Sequence, residues 1–180
     1  MELLMRLLDP VQLIGYLGMC CAFVSYQCKR NRMYFLFQTL CPVFFTVQYI
    51  LLGAWSAVFM NLFSIFRGVT FFLGDRCRSS VYLGFMELGF LLSSVLSVVF
   101  FEEYWWIAAL LLVAQAGGTL VMWTRNGKKI RIAQLFMISP IWIVNNVYYR
   151  SYGGIFCEAF NILSVVISML RFRKTGYDQN

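Results

Sequence analysis

The chain is a succession of apolar runs, each near the length that crosses a bilayer, joined by loops too short to hold a fold of their own. A spanning helix needs about 20 apolar residues, because hydrocarbon is roughly 30 Å thick and each residue rises about 1.5 Å. Seven runs meet that requirement: Val11–Gln27, Met33–Leu52, Trp55–Gly74, Ser80–Phe101, Tyr104–Trp123, Ile130–Tyr149 and Tyr152–Leu170. Between them stand Lys29-Arg30-Asn31-Arg32, the tight Gly53-Ala54 turn, Asp75-Arg76-Cys77-Arg78-Ser79, the acidic Glu102-Glu103 turn, Arg125-Asn126-Gly127-Lys128-Lys129 and Arg150-Ser151. Hydrophobic residues make up 61% and charged residues 13%, against about half and a quarter in soluble domains. The sequence therefore predicts an all-α transmembrane protein of seven helices. In Met1–Pro10, Glu2 and Asp9 interrupt the basic-then-apolar order of a cleaved signal, so the first span is expected to be retained.

The net charge of +7 raises the question of nucleic acid, and the placement of the charge answers it. With seven spans, one side receives Lys29, Arg30, Arg32, Arg76, Arg78, Arg125, Lys128, Lys129, Arg131, Arg171, Arg173 and Lys174, twelve of the fifteen basic residues. The other side receives only Arg6 and Arg150, while Arg67 lies within a span. Basic residues concentrated in short loops are orientation signals, so the expectation is a cytoplasmic C-terminus, an outside N-terminus and no nucleic-acid partner. Trp55, Trp105, Trp106 and Tyr152 fall at the outer ends, where aromatic belts form.

A shift of about 97 residues lays spans one to three over spans five to seven. The basic loops coincide, Pro42 falls on Ser139 beside Pro140, Gln48 on Asn145, Trp55 on Tyr152, Ala57 on Gly154, Asn61 on Glu158 and Ser64 on Asn161. A single connecting span returns the chain to its starting side, so the two halves form a parallel repeat about an axis along the membrane normal. The expected plan is two parallel three-helix bundles joined by one helix (3+1+3). Its parts are an N-terminal segment 1–10, a first bundle 11–74, a connector 75–103, a second bundle 104–170 and a cytoplasmic tail 171–180.

The stretches Ile14–Thr70 and Trp123–Lys174 resemble the YgjV-type bacterial inner-membrane proteins, through Asn61 with Arg67 in span three and Tyr152-Gly153-Gly154 with Glu158 in span seven. The three-one-three plan also resembles the wider SWEET, PQ-loop and PnuC-type superfamily, whose characterised members carry sugars, amino acids or vitamin precursors. That resemblance implies a transporter with its site between two triple-helix bundles. In SWEET proteins the third helix of each bundle lends a pocket asparagine; Asn61 matches that residue type, and the second position is Glu158 here. The proline–glutamine pair of the PQ-loop group is absent, with Pro42 alone in span two, which argues against a sugar as substrate.

Ionisable residues deep in a span cost several kcal/mol by insertion scales and require a reason. Arg67 and Glu87 each lie seven residues from the cytoplasmic end of their spans, so a structural ion pair clamping the connector to the first bundle is expected. Glu158 has no evident cation at its depth. It shares a helical face with Gly154 and Asn161, and span three repeats that stripe as Ala57, Asn61, Ser64 and Gly68. Such stripes serve close packing or a polar cavity. Tyr49 with Pro42 and Phe45, and Asn146 with Ser139 and Trp142, are the matching candidates from spans two and six. A substrate pocket is thus expected from Asn61, Ser64, Glu158, Asn161, Trp142, Asn146 and Tyr49.

An intramembrane enzyme is not expected, since the chain has no histidine, and Asp9, Asp75 and Asp178 all lie outside the spans. The six cysteines, Cys20, Cys21, Cys28, Cys41, Cys77 and Cys157, contain no CxxC pair, so no disulfide framework, metal or cofactor is expected. The leading expectation is a transporter of a small polar metabolite, surrounded by lipid. Glu158 could carry a proton, and uniport fits equally well. One chain holds both bundles, yet the superfamily includes homo-oligomers. The alternative is a non-transporting receptor or assembly protein of the same fold.

Overall fold

A computed structural model describes residues 9–73 and 79–171. The segment before Asp9, the Asp75–Arg78 part of the link with Cys77, and the tail beyond Arg171 lie outside the described residues. Seven helices follow one another: α1 (Pro10–Gln27), α2 (Asn31–Leu52), α3 (Trp55–Leu73), α4 (Ser80–Phe101), α5 (Trp105–Trp123), α6 (Gly127–Tyr148) and α7 (Tyr152–Arg171). No strand interrupts them among the described residues. All but α1 are long and apolar enough to cross a membrane. The first, of 18 residues, carries Gln12 and Gln27 near its ends, and both amides bond to other helices.

Local chemistry sets the helix ends. Asp9 accepts from the Val11 amide at 2.9 Å, and Pro10 occupies the first turn of α1, where its missing N–H costs nothing. Asn126 accepts from the Lys128 and Lys129 amides, both at 3.1 Å, and opens α6. Gly53 closes α2 in the left-handed region with φ 71°, and Arg150 closes α6 in the same region with φ 52°. The two turns stand 97 residues apart, and only the first has the residue that adopts this conformation without strain.

Within α6 the helix widens over Gln134–Ile138, so that the Ser139 amide reaches the Gln134 carbonyl five residues back. Pro140 follows directly. It has no N–H, and its ring would collide with the carbonyl four residues earlier in a regular helix, so a wide turn is the local accommodation. Proline in α2 behaves differently: Pro42 sits inside an uninterrupted helix, and its carbonyl accepts from Thr46 Oγ1 at 2.6 Å.

Helices adjacent in sequence pack side by side, α3 also meets α5, and α7 returns against α1. Six helices therefore close a ring, with α4 packed mainly on α3 and α5 at its edge. The surface and interior are reversed relative to a water-soluble fold. Leu17, Ile50, Leu62, Leu92, Val99 and Leu163 face outward, while Gln12, Gln48, Asn61, Arg67, Gln115, Asn146 and Glu158 are buried. That distribution suits a chain whose solvent is hydrocarbon, where polar groups must find partners inside the protein.

At the α4–α5 turn, the Glu103 carboxylate accepts from the Ser56 amide at 3.1 Å and from the Ser56 hydroxyl, capping α3 from a distant part of the chain. Partial burial raises this carboxyl above the ordinary range, and the hydrogen bonds from Ser56 and Tyr149 pull it partway back. The folded state therefore holds the proton more tightly than the unfolded chain does. This contribution is complete below the unfolded value and is lost as pH rises through the folded value. The melting midpoint is expected to fall as pH rises above the ordinary carboxyl range, and Glu103→Gln should flatten that slope. An unchanged slope in the variant would assign the dependence elsewhere. The two left-handed turns give a second expectation, measured by thermal melting in detergent. Gly53→Ala should destabilise by about 1 kcal/mol or more, and Arg150→Gly should stabilise by up to about 1 kcal/mol.

Candidate functional site

The ring encloses a cavity of about 80 Å³, room for several waters or a solute of few heavy atoms. Every ring helix contributes to its wall: Ala22 and Tyr26 from α1, Cys41, Phe45 and Tyr49 from α2, Asn61, Ser64 and Arg67 from α3, Gln115 from α5, Gln134, Trp142 and Asn146 from α6, and Gly154, Cys157, Glu158 and Asn161 from α7. No wall residue comes from α4. All seven residues expected at a pocket, Tyr49, Asn61, Ser64, Trp142, Asn146, Glu158 and Asn161, line this one space.

Glu158 is 8% exposed, and its Oε2 accepts from Ser139 Oγ at 2.6 Å. Gln134 Nε2 in turn donates to Ser139 Oγ at 2.9 Å. This three-residue relay depends on the wide turn, because residues five apart do not share a face of a regular helix. Sequence periodicity could not have found Gln134 for that reason; the only available signal was an amide just before Ser139-Pro140 in an apolar run.

Two cavity groups have no hydrogen-bond partner in the protein. Asn61 Nδ2 and Asn161 Oδ1 are both orphaned, although the residues are only 6% and 5% exposed. Unpaired buried polar atoms cost about 1–3 kcal/mol each, and buried groups of this kind are uncommon in native folds. Asn161 directs its Nδ2 to Cys157 Sγ at 3.7 Å. The cavity wall thus presents one free donor and one free acceptor beside a carboxylate.

Aromatic rings and amides pack together toward the end of the cavity nearest the Gly53 and Arg150 turns. Tyr49 Oη donates to Asn146 Oδ1 at 2.6 Å, joining α2 to α6 across the ring. Tyr49 also stacks between Phe45 and Trp142, at centroid distances of 5.8 and 6.0 Å. Gly154 lies where a Cβ would meet the Asn146 amide, so α7 can approach α6 this closely only with glycine there. Toward the other end Tyr26, Tyr34, Phe35, Phe71 and Met122 pack in one cluster. Arg131 bonds there to Ser168 Oγ at 2.9 Å and to the Tyr26 carbonyl at 3.2 Å.

The expected Arg67–Glu87 ion pair is not formed. Arg67 turns inward to α5, where Nη1 donates to the Gln115 carbonyl at 3.1 Å and to Thr119 Oγ1 at 2.9 Å, and Nη2 reaches Ser64 Oγ at 3.4 Å. Its guanidinium lies 5.3 Å over the Phe90 ring of α4, and Glu87 Oε1 is buried without a hydrogen-bond partner. Matched depth in adjacent helices was the right geometry for proximity but left the helix faces undetermined. The seam between α3 and α5 offered Arg67 a carbonyl and a hydroxyl, together with the cavity.

The family model of the bacterial inner membrane proteins termed Imp-YgjV matches residues 10–176. The chain belongs to this family. It is accordingly a multi-pass protein of the bacterial inner membrane, in agreement with its six spanning-length apolar helices. No curated protein and no solved structure matches it. Among the described residues of this YgjV-family chain no cluster of three metal-ligating side chains occurs, and Cys20, Cys21, Cys28, Cys41 and Cys157 are free thiols.

A charge-swap series checks the position of Arg67. Arg67→Glu should lose stability by several kcal/mol, since it places a carboxylate against the Gln115 carbonyl. Adding Glu87→Arg should not restore it, measured as folded yield and melting temperature in detergent. Recovery in the double variant would reinstate the ion pair.

Proposed function

We propose that this protein is a small-molecule transporter of SWEET-like architecture, with its substrate held between Asn61 and Glu158. The observation that carries the reading is the pair of unsatisfied buried amide atoms, Asn61 Nδ2 and Asn161 Oδ1, facing a polar cavity at the centre of a lipid-solvated ring. A polar cavity at the centre of a membrane protein is where transporters place their sites. All seven helices are taken as spans, with the N-terminus outside and the C-terminus in the cytoplasm; the support is the basic-loop bias and the packing of α1 against α2 and α7.

The 3+1+3 plan is supported by what meets at positions 97 residues apart. Tyr49 bonds to Asn146, Gly53 and Arg150 share a left-handed turn, and Phe45 with Trp142, Asn61 with Glu158, and Ser64 with Asn161 wall the same cavity. In this plan α4 is the connector. Transport would proceed by rocking one bundle against the other, opening either the Tyr49–Asn146 end or the Tyr26–Arg131 end. Proton coupling through Glu158 is a further element; a transport rate independent of pH would remove it and leave the transporter standing.

A receptor or assembly protein is the second reading. It is favoured by one observation: Glu158 already accepts from Ser139, so part of the site is satisfied without a ligand. The test is thermal melting of the purified protein against sugars, amino acids, nucleosides and vitamin precursors, with Glu158→Gln in parallel. A ligand that binds the folded state raises the midpoint by mass action. A compound that stabilises the parent and not the folded variant supports transport-type binding at Glu158. Silence across the panel with a cooperatively melting variant favours the assembly protein.

A further inference from the structure

The cavity has two charged wall residues of opposite sign, and they are not paired with one another. Arg67 on α3 bonds only to the neutral partners Gln115, Thr119 and Ser64, and Glu158 on α7 accepts from neutral Ser139. The residues are 9% and 8% exposed. A guanidinium carries five N–H donors, and three bonds to protein are formed here. Asn61 and Glu158 each follow the first residue of their helix by six positions, so they lie at matching turns of α3 and α7. From there Ser64 and Asn161 are both three residues further on, about 4.5 Å along the axis. The Arg67 guanidinium reaches back to the Ser64 hydroxyl. The cation and the carboxylate are thus offset by about one helical turn, and the orphaned Asn61 Nδ2 and Asn161 Oδ1 belong to residues that line the same cavity.

Buried charges need complementary charge; Glu87 acts on Arg67 without forming an ion pair with it, and a neutral solute in place of water would leave Glu158 with none. We propose that the cavity is selective for a small zwitterion, its carboxylate toward Arg67 and its ammonium toward Glu158. This deepens the transporter reading and rests on it. The amides sort the intermediate atoms: Asn61 Nδ2 donates to the solute carboxylate, and Asn161 Oδ1 accepts from the ammonium. The cavity volume of about 80 Å³ limits the solute to few heavy atoms. Neutral sugars and nucleosides would satisfy the amides but neither charge.

The experiment is thermal melting of the full chain in detergent with glycine, β-alanine and γ-aminobutyrate, whose charges stand progressively further apart. Glycine methyl ester supplies the cation alone, N-acetylglycine the anion alone, and glucose neither. At least one zwitterion, at about a hundredfold excess over its Kd, should raise the midpoint by about 5 °C or more, with little response to the other three. In Glu158→Gln the response should transfer to N-acetylglycine, and in Arg67→Gln to the methyl ester. A purely structural role for either residue would not exchange the preferred ligand. Should Arg67→Gln fail to melt cooperatively, the transfer in Glu158→Gln decides alone. A shift with glucose that disappears in Asn61→Ala would overturn the zwitterion while preserving the cavity as a binding site. No shift with any probe or with the wider metabolite panel would overturn both.

Discussion

Everything in this structure follows from the cost of leaving a polar group unsatisfied where there is no water. A glutamine in a soluble protein turns to solvent; here Gln12 accepts from both Gln48 Nε2 at 3.0 Å and the Gly153 amide at 2.9 Å, and so binds α1, α2 and α7 together. Gln27 donates to Ser164 Oγ at 2.8 Å near the opposite end of the same helix. The helix with the weakest claim to a bilayer on hydropathy alone is thus held at both ends by hydrogen bonds. Such bonds contribute modestly in number but fix which helix faces meet, because the apolar surface outside is indifferent to rotation in lipid.

The α1–α7 and α3–α5 contacts of the ring use different chemistry. On one side Ser164 of α7 receives the amide of Gln27 from α1; on the other Arg67 of α3 donates to Thr119 and Gln115 of α5. Ser164 and Arg67 are 97 residues apart, and one makes a neutral contact where the other supplies a cation. The substitution of carboxylate for amide between Asn61 and Glu158 has the same character. The cavity wall carries Arg67 on α3 and Glu158 on α7, which gives it two distinguishable sides.

The helices were legible because their signal is thermodynamic and long-range: twenty apolar residues in a row have few other fates, and the observed ends fall within a few residues of those read from the chain. The pocket stripes were legible too, because Asn61, Ser64, Glu158 and Asn161 repeat at helical spacing and polar residues avoid lipid. Two features were not. Arg67 was placed by depth but not by azimuth, and the seam with α5 involves a backbone carbonyl, which has no signature in sequence. Gln134 became part of the site only through a helical irregularity, and periodic reading assumes regularity. Asn145, which falls on Gln48 in the shifted alignment, has no hydrogen-bond partner for either amide atom.

The wide turn at Gln134–Ile138 has a consequence for how α6 can vary. It holds one residue more than a regular turn needs, and that surplus sets the angular position of everything after it. Wound as an ordinary helix with no residue removed, the same segment would turn further by about one residue's rotation. Ser139, Trp142 and Asn146 would then swing by about 100° around the axis, carrying the hydroxyl off Glu158 and the amide off Tyr49. The widening absorbs one residue without turning the faces on either side of it, so the width of this turn sets where Ser139, Trp142 and Asn146 point. The aim of the polar face is stored in the width of one turn.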